Sequence, residues 1–169
     1  TSLLPTLITD TREKMEAALS AIAESRADPG ILGIHFEGPF LSAEKPGVHE
    51  PAMIRQPKEG DLDLLISLRP MPTLVTLAPE RLPAGFIATL VEAGVRVSLG
   101  HSMATYAETK HALAEGLTGF THLFNAMRPL GSGDPGPIAA ALESSSVWFG
   151  MIVDGAHVDP AMLRLALRS

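Results

Sequence analysis

Short apolar runs alternate with longer amphipathic stretches along the chain, and this alternation predicts a parallel α/β fold. Six runs rich in branched apolar side chains are typical of buried strands: 3–9, 31–36, 73–77, 95–99, 119–124 and 147–153. Six stretches with helical spacing follow them: 11–26, 60–68, 83–94, 104–115, 137–143 and 160–168. Strands joined through helices make right-handed crossovers, so we expect one parallel sheet.

The strand count leaves two architectures open. A closed (β/α)8 barrel has eight strands and usually spans about 250 residues. This chain has 169 residues and about six predicted strands. It is therefore either an open, doubly wound sheet or a segment of a barrel.

Composition and charge narrow the class of protein. The formal net charge is −6, and no stripe of lysine and arginine is present to neutralise phosphates, so we expect no nucleic-acid partner. The absence of cysteine excludes disulfides, thiolate metal sites and a cysteine nucleophile. No apolar run approaches the ~20 residues of a membrane helix, and the first residues lack the pattern of a signal peptide. We expect a cytoplasmic protein with no membrane partner.

Polar side chains recur at the carboxyl ends of the predicted strands. Glu37 follows one strand, His101 and His122 follow two others, and His157 follows the last. Ligands bind at this edge in both barrels and open sheets. One glutamate and two histidines form a plausible ligand set for a catalytic divalent cation. A single such histidine is more often an ordinary loop residue, so the metal-site hypothesis rests on the joint pattern.

Three other histidines have weaker signals. His35 shares a strand face with Glu37, so it either orients that carboxylate or packs in the core. His111 lies inside a predicted helix and is expected at the surface. His49 belongs to the long connection 38–58, where it is expected to be exposed unless that loop folds over the site.

Residues that could bind an anion follow His122 in the sequence. The glycine-rich stretch 130–136 leads into a helix and suits an anion such as phosphate, although such loops are usually only turns. Arg55 and Arg128 are candidate phosphate partners, with solvated surface arginine as the simpler alternative for each.

Five motifs occur in order: GIHFEGPFLSAEKPGVHEP, VTLAPE, VSLGHSMATY, THLFNAM and VDGAHVDP. Together they resemble the N-acetylglucosamine-6-phosphate deacetylase family of the amidohydrolase superfamily, over essentially the whole chain. The resemblance implies part of a TIM-type (β/α)8 barrel with about six of the eight strands present. It also implies a homodimer that deacetylates N-acetylglucosamine 6-phosphate to glucosamine 6-phosphate and acetate in amino-sugar metabolism.

The resemblance assigns roles to individual residues. The implied ligands of a divalent cation, zinc or iron, are Glu37, His101 and His122. The implied substrate-binding positions are Val48, His49, Asn125, Ala126 and His157. Among them, His49 would hold the carbonyl oxygen, and Asn125 with its neighbour would contact the phosphate.

Two departures from the family pattern matter. Family members usually carry an arginine that reaches the phosphate in a neighbouring subunit, and Gly133 occupies that position here, with Arg128 as a candidate replacement. The family's general acid/base is an aspartate expected beyond Ser169, so no catalytic acid/base is predicted within the chain. An early barrel strand is also missing, and residues 1–169 are expected to form an incomplete catalytic barrel domain. The alternatives are a related amidohydrolase acting on another N-acyl or cyclic amide, and a non-catalytic metal- or sugar-binding fragment.

Overall fold

The computed structural model describes residues 2–169, and its central element is a six-stranded parallel sheet. The strands are β1 Thr6–Ile8, β2 Ile34–Glu37, β3 Thr73–Leu77, β4 Arg96–Leu99, β5 Gly119–Phe120 and β6 Trp148–Phe149. Each strand pairs in parallel with the next strand along the chain, from β1 to β6. A doubly wound sheet would reverse its strand order, whereas a (β/α)8 barrel keeps it. The predicted α/β fold with a barrel-type strand order is confirmed.

The six predicted helices are all present. They are α1 Arg12–Glu24, α2 Asp61–Ile66, α3 Phe86–Glu92, α4 Tyr106–Ala114, α5 Gly136–Leu142 and α6 Pro160–Ala166. The hydroxyl of Thr11 caps α1, and Thr105 forms a reciprocal capping box with Glu108 at the start of α4. Short 3₁₀ turns occupy Ser25–Ala27, Pro51–Met53 and Pro79–Arg81. None of the helices in residues 2–169 combines the length and the apolar character needed to cross a bilayer.

Most of the predicted strands are shorter in the structure than in the prediction, and the last two are shortened most. The run 119–124 contributes only two residues to the sheet, and so does the run 147–153. The backbone leaves the strand after β5 because His122 and Phe124 have φ angles of +39° and +81°. Left-handed backbone of this kind is incompatible with a continuing strand.

The two faces of the sheet differ in chemistry, as strand alternation requires. Apolar residues of one face pack against the helices and form the core, among them Phe36, Val75, Val97, Leu99 and Phe120. The opposite face carries Glu37, Thr76 and Ser98, which stand side by side on neighbouring strands. The site described below is built at the carboxyl end of this polar face.

His35 also lies on the polar face, and its ring is held by hydroxyl groups. Its Nε2 is 2.8 Å from Thr76 Oγ1, and its Nδ1 is 3.1 Å from Thr6 Oγ1. Thr121 continues the network, with its hydroxyl 2.7 Å from those of Thr76 and Ser98. Because both ring nitrogens bind threonines, the packed role predicted for His35 fits the geometry better than orientation of the glutamate.

Candidate metal centre and substrate site

Three strand ends bring one carboxylate and two imidazoles together. Oε1 of Glu37 lies 3.2 Å from Nε2 of His101 and 3.2 Å from Nε2 of His122. The two Nε2 atoms are 3.0 Å apart. Glu37 ends β2, and the histidines follow β4 and β5. The structure therefore places in one cluster the three residues that the sequence suggested as ligands.

The hydrogen bonds of the two rings define which nitrogen carries the hydrogen. Nδ1 of His101 is 2.8 Å from the carbonyl oxygen of Lys45, and Nδ1 of His122 is 3.1 Å from that of Asn125. A carbonyl oxygen only accepts, so each Nδ1 must be the donor. In the neutral rings both Nε2 atoms then present lone pairs toward Glu37.

Glu37 contributes negative charge to the same point. A glutamate carboxyl has an ordinary pKa of about 4.3, so this side chain is ionised at neutral pH. One ionised oxygen and two nitrogen lone pairs thus converge with no hydrogen among them. Such an arrangement is stabilised by a bound cation.

The spacing of these atoms fits a divalent transition metal. A transition metal binds nitrogen and oxygen ligands at about 2.0–2.2 Å, so neighbouring ligands lie ~3.0 Å apart at right angles and ~3.4 Å apart in a tetrahedral site. The separations among Glu37, His101 and His122 are 3.0 and 3.2 Å. The chain therefore has a Glu/His/His group with the chemistry and dimensions of a metal site.

Left-handed backbone is concentrated at this site. Outside glycine, positive φ angles occur at His101, His122, Phe124 and Ala126, among the residues that the structure describes. Such conformations cost about 1–3 kcal/mol each and cluster at functional sites. All four residues follow β4 or β5, where the turned backbone places the histidines at the cluster.

The long loop after β2 folds over the cluster. Ser42 donates its backbone N–H to the carbonyl of His101 at 2.8 Å. The carbonyl oxygen of Lys45 accepts from Nδ1 of the His101 ring. Gly47 has a φ of +56° and lies so close that an added Cβ would stand 3.0 Å from Cε1 of His101. This folding leaves only 2% of His49 exposed, so of the two alternatives for this residue the structure shows the one in which the loop folds over the site.

Thr9 determines the hydrogen position on His49. The backbone N–H of Thr9 donates to Nδ1 of His49 at 3.2 Å, and the threonine hydroxyl lies 2.8 Å from the same atom. Since a backbone N–H only donates, Nδ1 accepts and Nε2 carries the hydrogen. Burial is the main factor that lowers the pKa of His49 and keeps the ring neutral. Nothing in the sequence pattern points to Thr9, which lies forty positions before His49.

His49 is suited to be a hydrogen-bond donor rather than a metal ligand. Glu37, His49 and His101 do lie close enough to hold an ion. However, the hydrogen on Nε2 of His49 excludes coordination through that atom in this tautomer. Nε2 is buried and without a partner among residues 2–169, and it stands 3.9 Å from Oε2 of Glu37. It is a donor directed at the space beside the cluster.

The residues after His122 supply a second unpaired donor. The backbone N–H of Asn125 binds the carbonyl of His122 at 2.9 Å. Its side-chain Nδ2 is buried and unpartnered within the described part of the chain. Ala126 joins the two histidine loops, because its carbonyl accepts the N–H of Ser102 at 3.1 Å. A polar ligand group beside Asn125 would satisfy the free amide.

The other two residues expected at the substrate are exposed. Val48, at the tip of the loop, is 85% exposed. His157 lies after β6, and its Nδ1 is 2.6 Å from Oδ2 of Asp154. Backbone N–H groups of His157 and Ala156 bind the other carboxylate oxygen, and these bonds hold the pKa of Asp154 at about 2. His157 is thus oriented by Asp154 and is not a member of the Glu37 cluster.

Among the candidate phosphate partners, the two arginines already have partners within the chain, whereas the glycine faces open space. Nε and Nη2 of Arg128 donate to the carbonyls of Met103 and Ala104 at 2.8–3.1 Å, so most of that guanidinium is occupied. Gly133 is exposed, with open space where a side chain would be. Arg55 forms a bidentate ion pair with Asp61 and is structural. A phosphate contact by Arg128 or Gly133 stays a prediction.

The glycine-rich stretch before α5 already contains an anion of its own. Oδ1 of Asp134 accepts the N–H of Gly136 at 3.1 Å and that of Tyr106 at 3.0 Å. The carboxylate therefore takes the position that a phosphate would need at this helix start. The anion-binding interpretation of 130–136 has no support in this geometry.

The sheet has the strand order of a (β/α)8 barrel, and the cluster at its carboxyl edge has the ligand chemistry of a metal site. No family model matches the chain. It is 44% identical over 171 residues to an N-acetylgalactosamine-6-phosphate deacetylase from Shewanella sp., with all of this chain and 43% of that protein covered. It is 40% identical over 167 residues to an N-acetylglucosamine-6-phosphate deacetylase from Haemophilus influenzae, covering 98% of this chain and 44% of that protein.

The chain is also similar to solved structures of N-acetylglucosamine-6-phosphate deacetylases. The N-acetylglucosamine-6-phosphate deacetylase of Pasteurella multocida matches with a TM-score of 0.93 at 42% identity, over 99% of this chain and 45% of that one. A variant of the Mycobacterium smegmatis enzyme, solved in complex with N-acetyl-D-glucosamine-6-phosphate, matches with a TM-score of 0.92 at 42% identity and the same coverage. The chain spans a little under half the length of these relatives. The resemblance to the N-acetylglucosamine-6-phosphate deacetylases drawn from the motifs is confirmed.

Proposed function

We propose that the protein hydrolyses the N-acetyl amide of N-acetylglucosamine 6-phosphate, releasing glucosamine 6-phosphate and acetate. The convergence of three lone-pair atoms from Glu37, His101 and His122 carries this proposal, because it fits a catalytic cation. The deacetylases named above supply the reaction and the substrate class. Acetate release from N-acetylglucosamine 6-phosphate by the full-length protein tests the proposal, and its absence from metal-loaded protein would contradict it.

Glu37, His101 and His122 would hold a divalent cation, zinc or iron. When bound, such a cation supplies Lewis-acid activation of the amide carbonyl and of the attacking water. Lys45 and Asn125 contribute through their carbonyls, which hold both rings in the tautomer that a ligand needs.

His49 would donate its Nε2 hydrogen to the carbonyl oxygen of the substrate. The donor is buried and held in place by Thr9, so little reorganisation is needed as negative charge develops on that oxygen. The main chain at Val48 would border the sugar.

The phosphate and the sugar would be bound by the remaining residues. The free amide of Asn125 and the adjacent Ala126 would contact the phosphate, and His157 would bind the sugar. We propose that the general acid/base aspartate lies beyond Ser169 and that residues 1–169 form the metal- and substrate-binding part of the barrel. The relatives, more than twice as long as this chain, are consistent with that arrangement.

N-acetylgalactosamine 6-phosphate is a second candidate substrate. The observation in its favour is the 44% identity to a deacetylase named for that sugar. The two substrates differ only in the orientation of one hydroxyl, so kcat/KM for each, measured on the full-length protein, separates them. Unphosphorylated N-acetylglucosamine is the control, and equal turnover with and without the phosphate would contradict a phosphate-dependent enzyme.

We also propose a cytoplasmic homodimer, on the strength of the family resemblance. Light scattering of the purified full-length protein tests the dimer, and a monomeric mass would contradict it.

A further inference from the structure

We propose that Glu80 and Arg128 clamp the backbone of 102–104 and thereby fix His101 for metal binding. In this view Glu80 is a positioning residue that acts through the loop and does not touch the cation. The inference rests on the proposed metal site.

The first half of the clamp is the carboxylate of Glu80. It lies just after β3, in the turn Pro79–Arg81. Oε1 accepts the backbone N–H of Met103 at 2.6 Å, and Oε2 accepts the hydroxyl of Ser102 at 2.7 Å. The hydroxyl oxygen of Ser102 in turn accepts the N–H of Ala104 at 3.0 Å. One side chain thus organises the three residues that follow His101.

The second half is the guanidinium of Arg128, on the opposite side of the same peptide groups. Nη2 and Nε donate to the carbonyl of Met103 at 2.8 and 3.0 Å, and Nε also donates to that of Ala104 at 3.1 Å. The N–H of Met103 is therefore held by a carboxylate while its carbonyl is held by a cation. Hydrogen bonds to charged groups are stronger than neutral ones.

His101 needs such support because its backbone is strained. Its φ of +48° is in the left-handed region, where residues other than glycine rarely lie unless their surroundings hold them. The loop over the site secures the ring and the carbonyl of His101, through Lys45 and Ser42. Glu80 and Arg128 secure the chain on the other side of the strained residue.

The position of Glu80 is unfavourable for a carboxylate, because the side chain is partly removed from water. Glu80 is half-buried, and burial raises its pKa despite the opposing hydrogen bonds from Ser102 and Met103. The two carboxylate oxygens compensate for this cost, because each accepts a hydrogen bond from a residue that follows His101.

The test is metal affinity, measured by chelator competition with zinc on the full-length protein. Glu80→Ala should weaken zinc binding about 10- to 100-fold, as expected when a partner behind the ligands is lost. Glu80→Gln keeps one carbonyl acceptor for Met103 but loses the charge and the acceptor for Ser102, so it should weaken zinc binding less than Glu80→Ala does. Glu92→Ala removes an exposed carboxylate at the end of α3 and is the matched control, with no expected change.

The outcomes distinguish the clamp from the metal site itself. Wild-type protein that binds no zinc would overturn the proposed metal site and this inference with it. Wild-type binding with equal affinity in Glu80→Ala would overturn the clamp alone. If Glu80→Ala does not fold, Ser102→Ala removes a single hydroxyl from the same network and should still weaken binding; unchanged affinity in that variant would overturn the clamp.

A spectroscopic measurement separates positioning from general stability. At saturating cobalt, the visible absorption bands report the ligand geometry directly. Glu80→Ala should shift these bands relative to wild type, whereas Glu92→Ala should not. Identical spectra, together with unchanged affinity, would assign Glu80 a purely structural role.

Discussion

Nε2 of His101 lies 3.0 Å from Nε2 of His122, although each ring donates its only hydrogen from Nδ1 to a backbone carbonyl. Two imidazole lone pairs therefore face the same point, next to an oxygen of Glu37. The carbonyls of Lys45 and Asn125 impose this arrangement before any ion is bound. The site is preorganised for a cation.

Removing one of these rings should weaken metal binding strongly. His122→Ala deletes a ligand and is expected to reduce zinc affinity by more than the ~10- to 100-fold typical of a lost supporting residue. Zinc content is measured after dialysis. His111→Ala is the control, because that side chain is 71% exposed on α4. Normal zinc content in His122→Ala would remove His122 from the ligand set.

A variant at His49 shows whether this residue acts as a hydrogen-bond donor or as a metal ligand. His49→Asn keeps an acceptor for the N–H of Thr9 but removes the donor Nε2. We expect unchanged zinc content and a kcat for deacetylation lowered about 10²- to 10³-fold, as when a donor to a developing oxyanion is lost. Loss of zinc from this variant would instead place His49 among the ligands, with Glu37 and His101.

The ion pair between Arg55 and the buried carboxylate of Asp61 should make stability depend on pH. Asp61 is 1% exposed; its burial raises the pKa, but hydrogen bonds from Arg55 and the Lys58 backbone outweigh this and hold it below 3.8. Its contribution is therefore present above about pH 3.8 and is lost as the pH falls through the lower folded-state pKa. Asp61→Asn should lower the free energy of unfolding by about 3 kcal/mol at neutral pH.

Urea unfolding of wild type and Asp61→Asn as a function of pH tests this prediction. The difference between them should shrink below about pH 3.8 as Asp61 is protonated. Asp63→Asn, an exposed change in the same helix, is the control and should show little difference at any pH. A difference that stays constant at acidic pH would contradict the ionic contribution of Asp61.

Position 133 tests the phosphate interaction. Gly133→Arg introduces the arginine usual in the family at an exposed position with open space around it, so stability should change by no more than about 0.5 kcal/mol. A new hydrogen bond to phosphate from a charged donor is expected to lower KM for N-acetylglucosamine 6-phosphate about tenfold. KM for the unphosphorylated sugar should stay constant. Equal effects on both sugars would contradict a phosphate contact from this position.

Several features of the site were predictable because they are local. Strand alternation placed Glu37 on the polar face of β2, and each candidate histidine follows an apolar run that ends in turn residues. The shortening of β5 was not predictable, since the apolar run 119–124 continues through residues that turn left-handed. That conformation is imposed by contacts with other loops, not by residue preference.

His49 shows most clearly what sequence could not decide. Its exposure depends on whether a loop folds over the cluster, and its tautomer depends on Thr9, a residue of another strand end. The pairing of Arg128 could not be predicted from the sequence either. In the folded chain its guanidinium donates hydrogen bonds to the carbonyls of Met103 and Ala104.

The sequence by itself determined the alternation of strands and helices, the strand edge that carries the polar residues, and, through its motifs, the family. These depend on side-chain patterns within a few residues. Only the tertiary structure decided which nitrogen of each ring carries a hydrogen, which donors remain free, and which charges are already paired. Apart from the tautomer of His122, which the nearby carbonyl of Asn125 sets, those properties depend on hydrogen bonds between residues 20 to 85 positions apart. Such bonds exist only once the strand ends have been brought together.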